Sequence, residues 1–201
     1  MKKYIVLLAL VLFPVLAFAD STSVHQGVKV HHGTTATGHP YFKASATAQG
    51  QGTILSVNKK TRVVKILGEQ GDTLAVTCGP EIKNFAKIAK GDAIKVKYIE
   101  TLTIHVEPEG TPASESAETS SSAAKPGEKP SGTVTDKVTF SGTITAIDMT
   151  KSTVTLKGPE GNEMVLHPRV KENLKKVKVG ETVVFNYEQT AAVSVEKVSK
   201  K

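Results

Sequence analysis

Four histidines, His25, His31, His32 and His39, fall within fifteen residues near the start of this 201-residue chain. Neutral imidazole is the common protein ligand for zinc, copper and nickel, so a tail bearing several of them is a candidate trap for such ions. Met164 adds one soft thioether elsewhere in the chain. His25, His31, His32, His39 and Met164 are therefore the candidate metal ligands, with copper or zinc as the cargo. Their spacings match no defined ligand motif, and a tail that must be ordered on binding loses affinity. The competing reading makes the histidines part of a solvated segment and Met164 a core filler. His105 and His167 fall at strand ends, opposite in phase to Ile104, Val106 and Leu166, so they are expected to face solvent.

Other chemistry is poorly supplied. The single cysteine, Cys78, cannot form a disulfide within one chain. No base accompanies it in "AVTCGPE", so burial at a strand end is the expectation. There is no G-x-S-x-G elbow, H-E-x-x-H, C-x-x-C or phosphate loop. The carboxylate pairs Glu69/Asp72 and Glu160/Glu163 read as turn polarity. No enzyme, no catalytic residue and no resident cofactor are expected.

The elements that must position these groups begin after a leader. Lys2 and Lys3 precede an apolar run that ends in "AFA", the pattern of a signal peptide over 1–19. The run is short and broken by Pro14, too little for a bilayer span. The expected location is the periplasm, with secretion as the alternative, and no membrane span in the mature form. Loss of Lys2 and Lys3 lowers the formal charge from +7 to +5. With aromatics at 5% and no Trp, a stacking platform for nucleic acid is not expected.

Two stretches lack apolar periodicity. Residues 20–49 read as a flexible His-containing tail, and 107–138, rich in Pro, Glu, Ser and Ala, as a disordered linker. Between and after them lies a repeat. "GTILSVNKKTRVVKIL" at 52–67 matches "GTITAIDMTKSTVTLK" at 142–157 with an offset of 90. Val64 and Ile66 match Val154 and Leu156. Leu74 and Val76 match Met164 and Leu166. With the offset reduced to 89, Ile94, Val96 and Tyr98 match Val183, Phe185 and Tyr187. Ile104 and Val106 match Val193 and Val195, and Gly91-Asp92 matches Gly180-Glu181. Apolar residues two apart mark half-buried strands.

Five short strands are predicted per copy: about 52–58, 62–68, 73–78, 93–100 and 102–107, then 141–148, 152–158, 162–167, 182–188 and 191–198. A short helix is predicted after the third strand of each copy, through Ile82, Phe85, Ile88 and Ala89 and through Val170, Leu174 and Val177. Gly91 and Gly180 stop them. The expected fold is all-β with one short helix per domain. It consists of two tandem five-stranded OB-like barrels, at 50–106 and 139–199. An SH3-like strand order is the competitor.

Gly-x-Ile, turn, Val-x-Leu, glycine loop, short strand, short helix and then "VKVGETVVFNYE" at 177–188 resembles the small periplasmic copper and silver chaperones of tripartite efflux systems. The resemblance implies five-stranded OB-type barrels. It also implies a metal site of one His, one Trp and two Met. This chain has no Trp, and only Met164, in "NEMVLHP", falls near a family methionine position. Leu166 stands where the second would be, and the first copy has Leu74 and Val76. The resemblance thus implies a shared scaffold without the soft-metal site. The repeats also resemble exported bacterial OB-type domains of no assigned activity. The functional expectation is an exported, non-catalytic binding or adaptor protein for an envelope protein or polymer. Metal binding through the histidine tail is the alternative.

Overall fold

The structure is a computed structural model and describes residues 25–80 and 82–198. The expected leader and residues 20–24 of the tail lie outside the described residues. The fold is all-β, as the alternation requires. Ten strands form one open antiparallel sheet: β1 His25–Thr34, β2 Pro40–Asn58, β3 Val63–Gly68, β4 Thr73–Thr77, β5 Ala93–Glu107, β6 Glu115–Ala123, β7 Ser131–Asp148, β8 Thr153–Lys157, β9 Glu163–Leu166 and β10 Thr182–Glu196. The order is β4-β3-β2-β5-β10-β7-β8-β9, with β1 on β2 and β6 on β7. No helix among the described residues is long and apolar enough to cross a membrane.

The repeat is written into the pairing. The β2–β5 ladder (Gly52 opposite Ile94) and the β7–β10 ladder (Gly142 opposite Val183) have the same register once the sequence offsets are applied. β2 and β3 slip register at Ile54/Ser56, and β7 and β8 do so at Ile144/Ala146. Such bulges bend the sheet and raise its twist. The turns that follow also match. The Asn58 carboxamide oxygen accepts from the amides of Lys60 and Thr61 at 3.0 and 3.1 Å. The Asp148 carboxylate accepts from Thr150 and Lys151 at 2.9 and 2.8 Å.

The central strands differ from expectation. The break predicted near residue 101, and its counterpart near 190, does not exist. β5 and β10 are each one strand of 15 residues, paired along their whole length. The physical reason is visible in "VKYIETLTIHVE": the apolar phase of Val96 and Tyr98 resumes at Leu102 after Ile99-Glu100, and no Gly, Pro, Asn or Asp is there to turn the chain. Glu100 pairs with Gln189, its repeat counterpart, so a pseudo-two-fold axis passes between them.

The two copies consequently exchange strands. One core holds Ile54, Val64, Phe85 and Ile88 of the first copy with Val195 from the end of β10. The other holds Ile144, Val154, Leu156, Leu174 and Val183 of the second with Val106 from the end of β5. The short helices are 3₁₀ turns, Phe85–Lys87 and Lys171–Lys176, and they bury the expected Phe85 and Leu174.

The segments expected to be a flexible tail and a disordered linker also differ. Their described parts carry β1 and the start of β2, and β6 and the start of β7. All nine residues of β6 are exposed. Backbone pairing to β7 defines the strand, and a polar stretch ordered in that way leaves no apolar pattern to read.

Candidate functional site

The two cores are not equally filled. In the second copy, Phe140 of β7 stands opposite Phe185 of β10, with ring centroids 6.2 Å apart. The equivalent pair in the first copy is Gly50 opposite Val96. The exchanged strands differ likewise. β5 sends Leu102 and Ile104 toward the second copy, where β10 sends Ala191 and Val193 toward the first. Each of these four positions thus carries a smaller side chain in the first copy than in the second.

The space beside them is an open cavity of about 720 Å³, within the range typical of small-molecule sites. Its apolar lining includes Ile54, Ile66, Leu74, Val76, Ile94 and Val195. Ser121 and Ser122 of β6 and Thr133 and Val134 of β7 close it from the far end of the strand path. Val96, Val134 and Val193 also line it, and they remain 44%, 45% and 38% exposed. Three exposed valines from three strands in one concavity form a contiguous apolar surface, the kind that marks a binding site.

The rim is held from behind by Arg62. Its guanidinium donates to the carbonyls of Cys78, Gly79 and Ile82 at 2.9, 2.6 and 3.1 Å. It also stacks 4.4 Å from the Phe85 ring centroid. Arg62 occupies left-handed backbone at φ 55°, as its counterpart Ser152 does at 56°. This geometry fixes the loop that presents Cys78, Ile82 and Lys83 to the groove.

Tyr98 closes the groove near the pseudo-axis. Its hydroxyl donates to Glu100 Oε1 at 2.7 Å. Burial, reinforced by the Glu100 carboxylate, holds this phenol far above the usual tyrosine range. Burial, and then the Glu100 charge, pushes Tyr187 up to about 12. These phenols stay neutral hydrogen-bond donors and are not poised as bases.

Two reciprocal clasps join the copies. His39, in the β1–β2 turn, places Nε2 3.0 Å from Glu181 Oε1. Lys129, in the β6–β7 turn, places Nζ on Asp92 Oδ2 and donates to the Lys87 carbonyl at 2.7 Å. Asp92 and Glu181 are the matched acids of the repeat, and both are buried. The hairpin of each copy therefore grips the other copy.

The sequence-derived metal candidates are not brought together. His39 is engaged by Glu181 through Nε2 and by the Thr37 hydroxyl through Nδ1 at 2.9 Å. His32 packs its ring 5.2 Å from Phe42. The adjacent His31 and His32 fall on opposite faces of β1 by strand alternation. His25 pairs in the backbone with Gln49. Met164 packs against the second core, paired with Leu156. Among the described residues no group of three or more His, Cys, Asp or Glu could hold a metal ion. Sequence reasoning missed the groove, although the match of Val96 to Phe185 carried its signal. No family model, no curated protein and no solved structure matches this chain.

Proposed function

We propose that this chain is an exported, non-catalytic binding protein that holds an apolar ligand in the groove of its first copy. The second copy is the filled counterpart that braces it. The observation that carries this reading is the replacement of the Phe140–Phe185 pair by Gly50–Val96 at the same place in the same scaffold. A repeat that needed only stability would gain by filling both cores, because an unfilled apolar space forfeits packing. We read each copy as an opened OB-type unit whose fifth strand comes from its neighbour. The order β4-β3-β2-β5, with the end of β10 next, supports this. Interlocking favours one binding unit over two modules on a tether.

The test uses the neutral apolar dye N-phenylnaphthylamine with the full mature chain. Its fluorescence is expected to rise on binding the native protein. It should stay at background in the Gly50→Phe/Val96→Phe variant, which copies the filled half. Circular dichroism and the melting temperature report whether that variant is folded. Equal dye binding by a folded variant, or none by the native protein, refutes the reading.

A further inference from the structure

Resting on that reading, we infer that the groove takes an anionic amphiphile: a single apolar chain ending in a carboxylate or phosphate, with its head at Lys83. Among the described residues that line the cavity, Lys83 is the only charged one. The remainder are apolar side chains, glycines and neutral polar groups. A wholly apolar ligand would leave this cation without a use. A cationic ligand would meet a like charge at the rim, a cost of the kind that sets specificity.

Lys83 is exposed, on the loop that Arg62 fastens through three carbonyls. Its position is thus defined by the rim while its ammonium remains hydrated. An exposed ammonium of this type contacts an anion without first losing a buried partner. One neighbouring cation has the same sign. Lys87 lies in the adjoining 3₁₀ turn, whereas Lys95 and Lys97 alternate with the groove-lining Ile94, Val96 and Tyr98 and so face the other side of β5. Lys95 is paired with Glu196 at 2.8 Å. Glu69, beside the opposite wall, is held by the Gln51 carboxamide.

The apolar part of the ligand is set by shape. Gly50, Ala191 and Val193 open a trough between β2 and the end of β10. It runs from the Lys83 loop toward Tyr98, whose hydroxyl is already committed to Glu100. At this end the Tyr98 hydroxyl is therefore not offered to a ligand, and Ala191, Val134 and Val193 give the end of an apolar chain a seat beside the hydroxyls of Ser121 and Ser122. The polar end belongs at the rim.

The experiment displaces N-phenylnaphthylamine from the native protein with dodecanoate, dodecyl phosphate, dodecanol and dodecylammonium. These share one tail and differ in head. Both anions are expected to compete about two- to fivefold better than dodecanol, the size of one exposed charge pair. Dodecylammonium should be weakest. Lys83→Glu should lower anion affinity by about tenfold or more, leave dodecanol unchanged and raise dodecylammonium. A preference for one anion over the other identifies the head group and supports the inference either way. Equal competition by all four, or an unmoved Lys83→Glu series, overturns the anionic head while leaving apolar binding intact. Failure of the dye itself to bind overturns the groove reading.

Discussion

Replacing Lys129 tests whether the two copies are clasped or merely adjacent. Asp92 is 4% exposed and receives two donors: the Lys129 ammonium and the Ala89 amide, the latter at 2.8 Å. Lys129→Met removes the only charged donor to Asp92 among the described residues and keeps most of the side-chain bulk. Removing one partner of a fully buried pair costs about 3–5 kcal/mol. The Lys129 side chain is 28% exposed, so water reaches the vacated site and lowers the cost to about 2–3 kcal/mol. For a chain of this size that corresponds to a melting temperature lower by about 4–12 °C. Urea titration gives the free energy and calorimetry the midpoint. Adding Asp92→Asn to the Lys129→Met background should recover at least half of the loss, because no buried charge then remains unpaired. A loss below about 0.5 kcal/mol, the value of an ordinary surface pair, refutes the clasp. So does a double variant no more stable than the single one.

Three further outcomes follow from the same geometry. Val195→Ala should cost about 2–3 kcal/mol by removing two buried carbons and leaving a void. Val106→Ala should cost a similar amount. An effect confined to protection of residues near each substituted valine's own sequence neighbours, in hydrogen exchange, would contradict strand exchange. A fragment ending at Glu107 lacks β10 and should show no cooperative thermal transition. A sharp transition with native-like amide dispersion would mean that the first copy closes by itself. Tyr98 and Tyr187 carry folded-state values raised above the ordinary phenol value of 10.0. Their contribution is fully present below pH 10 and is lost as pH rises toward 12 and beyond. Stability should thus fall over that window in step with tyrosinate absorbance, and Tyr98→Phe should flatten the fall.

Much of the fold was legible because its signal is apolar alternation. Val64, Ile66, Val154 and Leu156 announced their strands, and Val64, Val154 and Leu156 are buried in the two cores. The turn at Asn58 was legible from its side-chain chemistry. The length of β5 was less so. Its apolar phase, Ile94, Val96, Tyr98, Leu102, Ile104 and Val106, is interrupted at Ile99-Glu100, and five short strands per copy require a break there although no turn residue stands at that point. The strand exchange was not legible at all. Val106 and Val195 show the same apolar pattern whether they fold onto their own copy or the other. β6 was hidden because its serines and threonines bury nothing. The groove was half visible: Val96 was matched to Phe185, but Gly50 lay at a boundary where a tail was expected, so its contrast with Phe140 went unread. The histidine spacing reads as candidate ligands, whereas His39 serves as a partner for Glu181.

The exchange of β5 and β10 makes the groove the last thing the chain can complete. Ile54 and Val64 open the groove's floor early in the sequence, but Val193 and Val195, which finish its wall, lie near the far end of the described residues. Pairing at such separation is slow relative to local turns and hairpins. A chain emerging from its amino end would present an apolar, half-built trough until β10 arrived. Closure of the groove wall thereby becomes a marker that the chain has folded through β10.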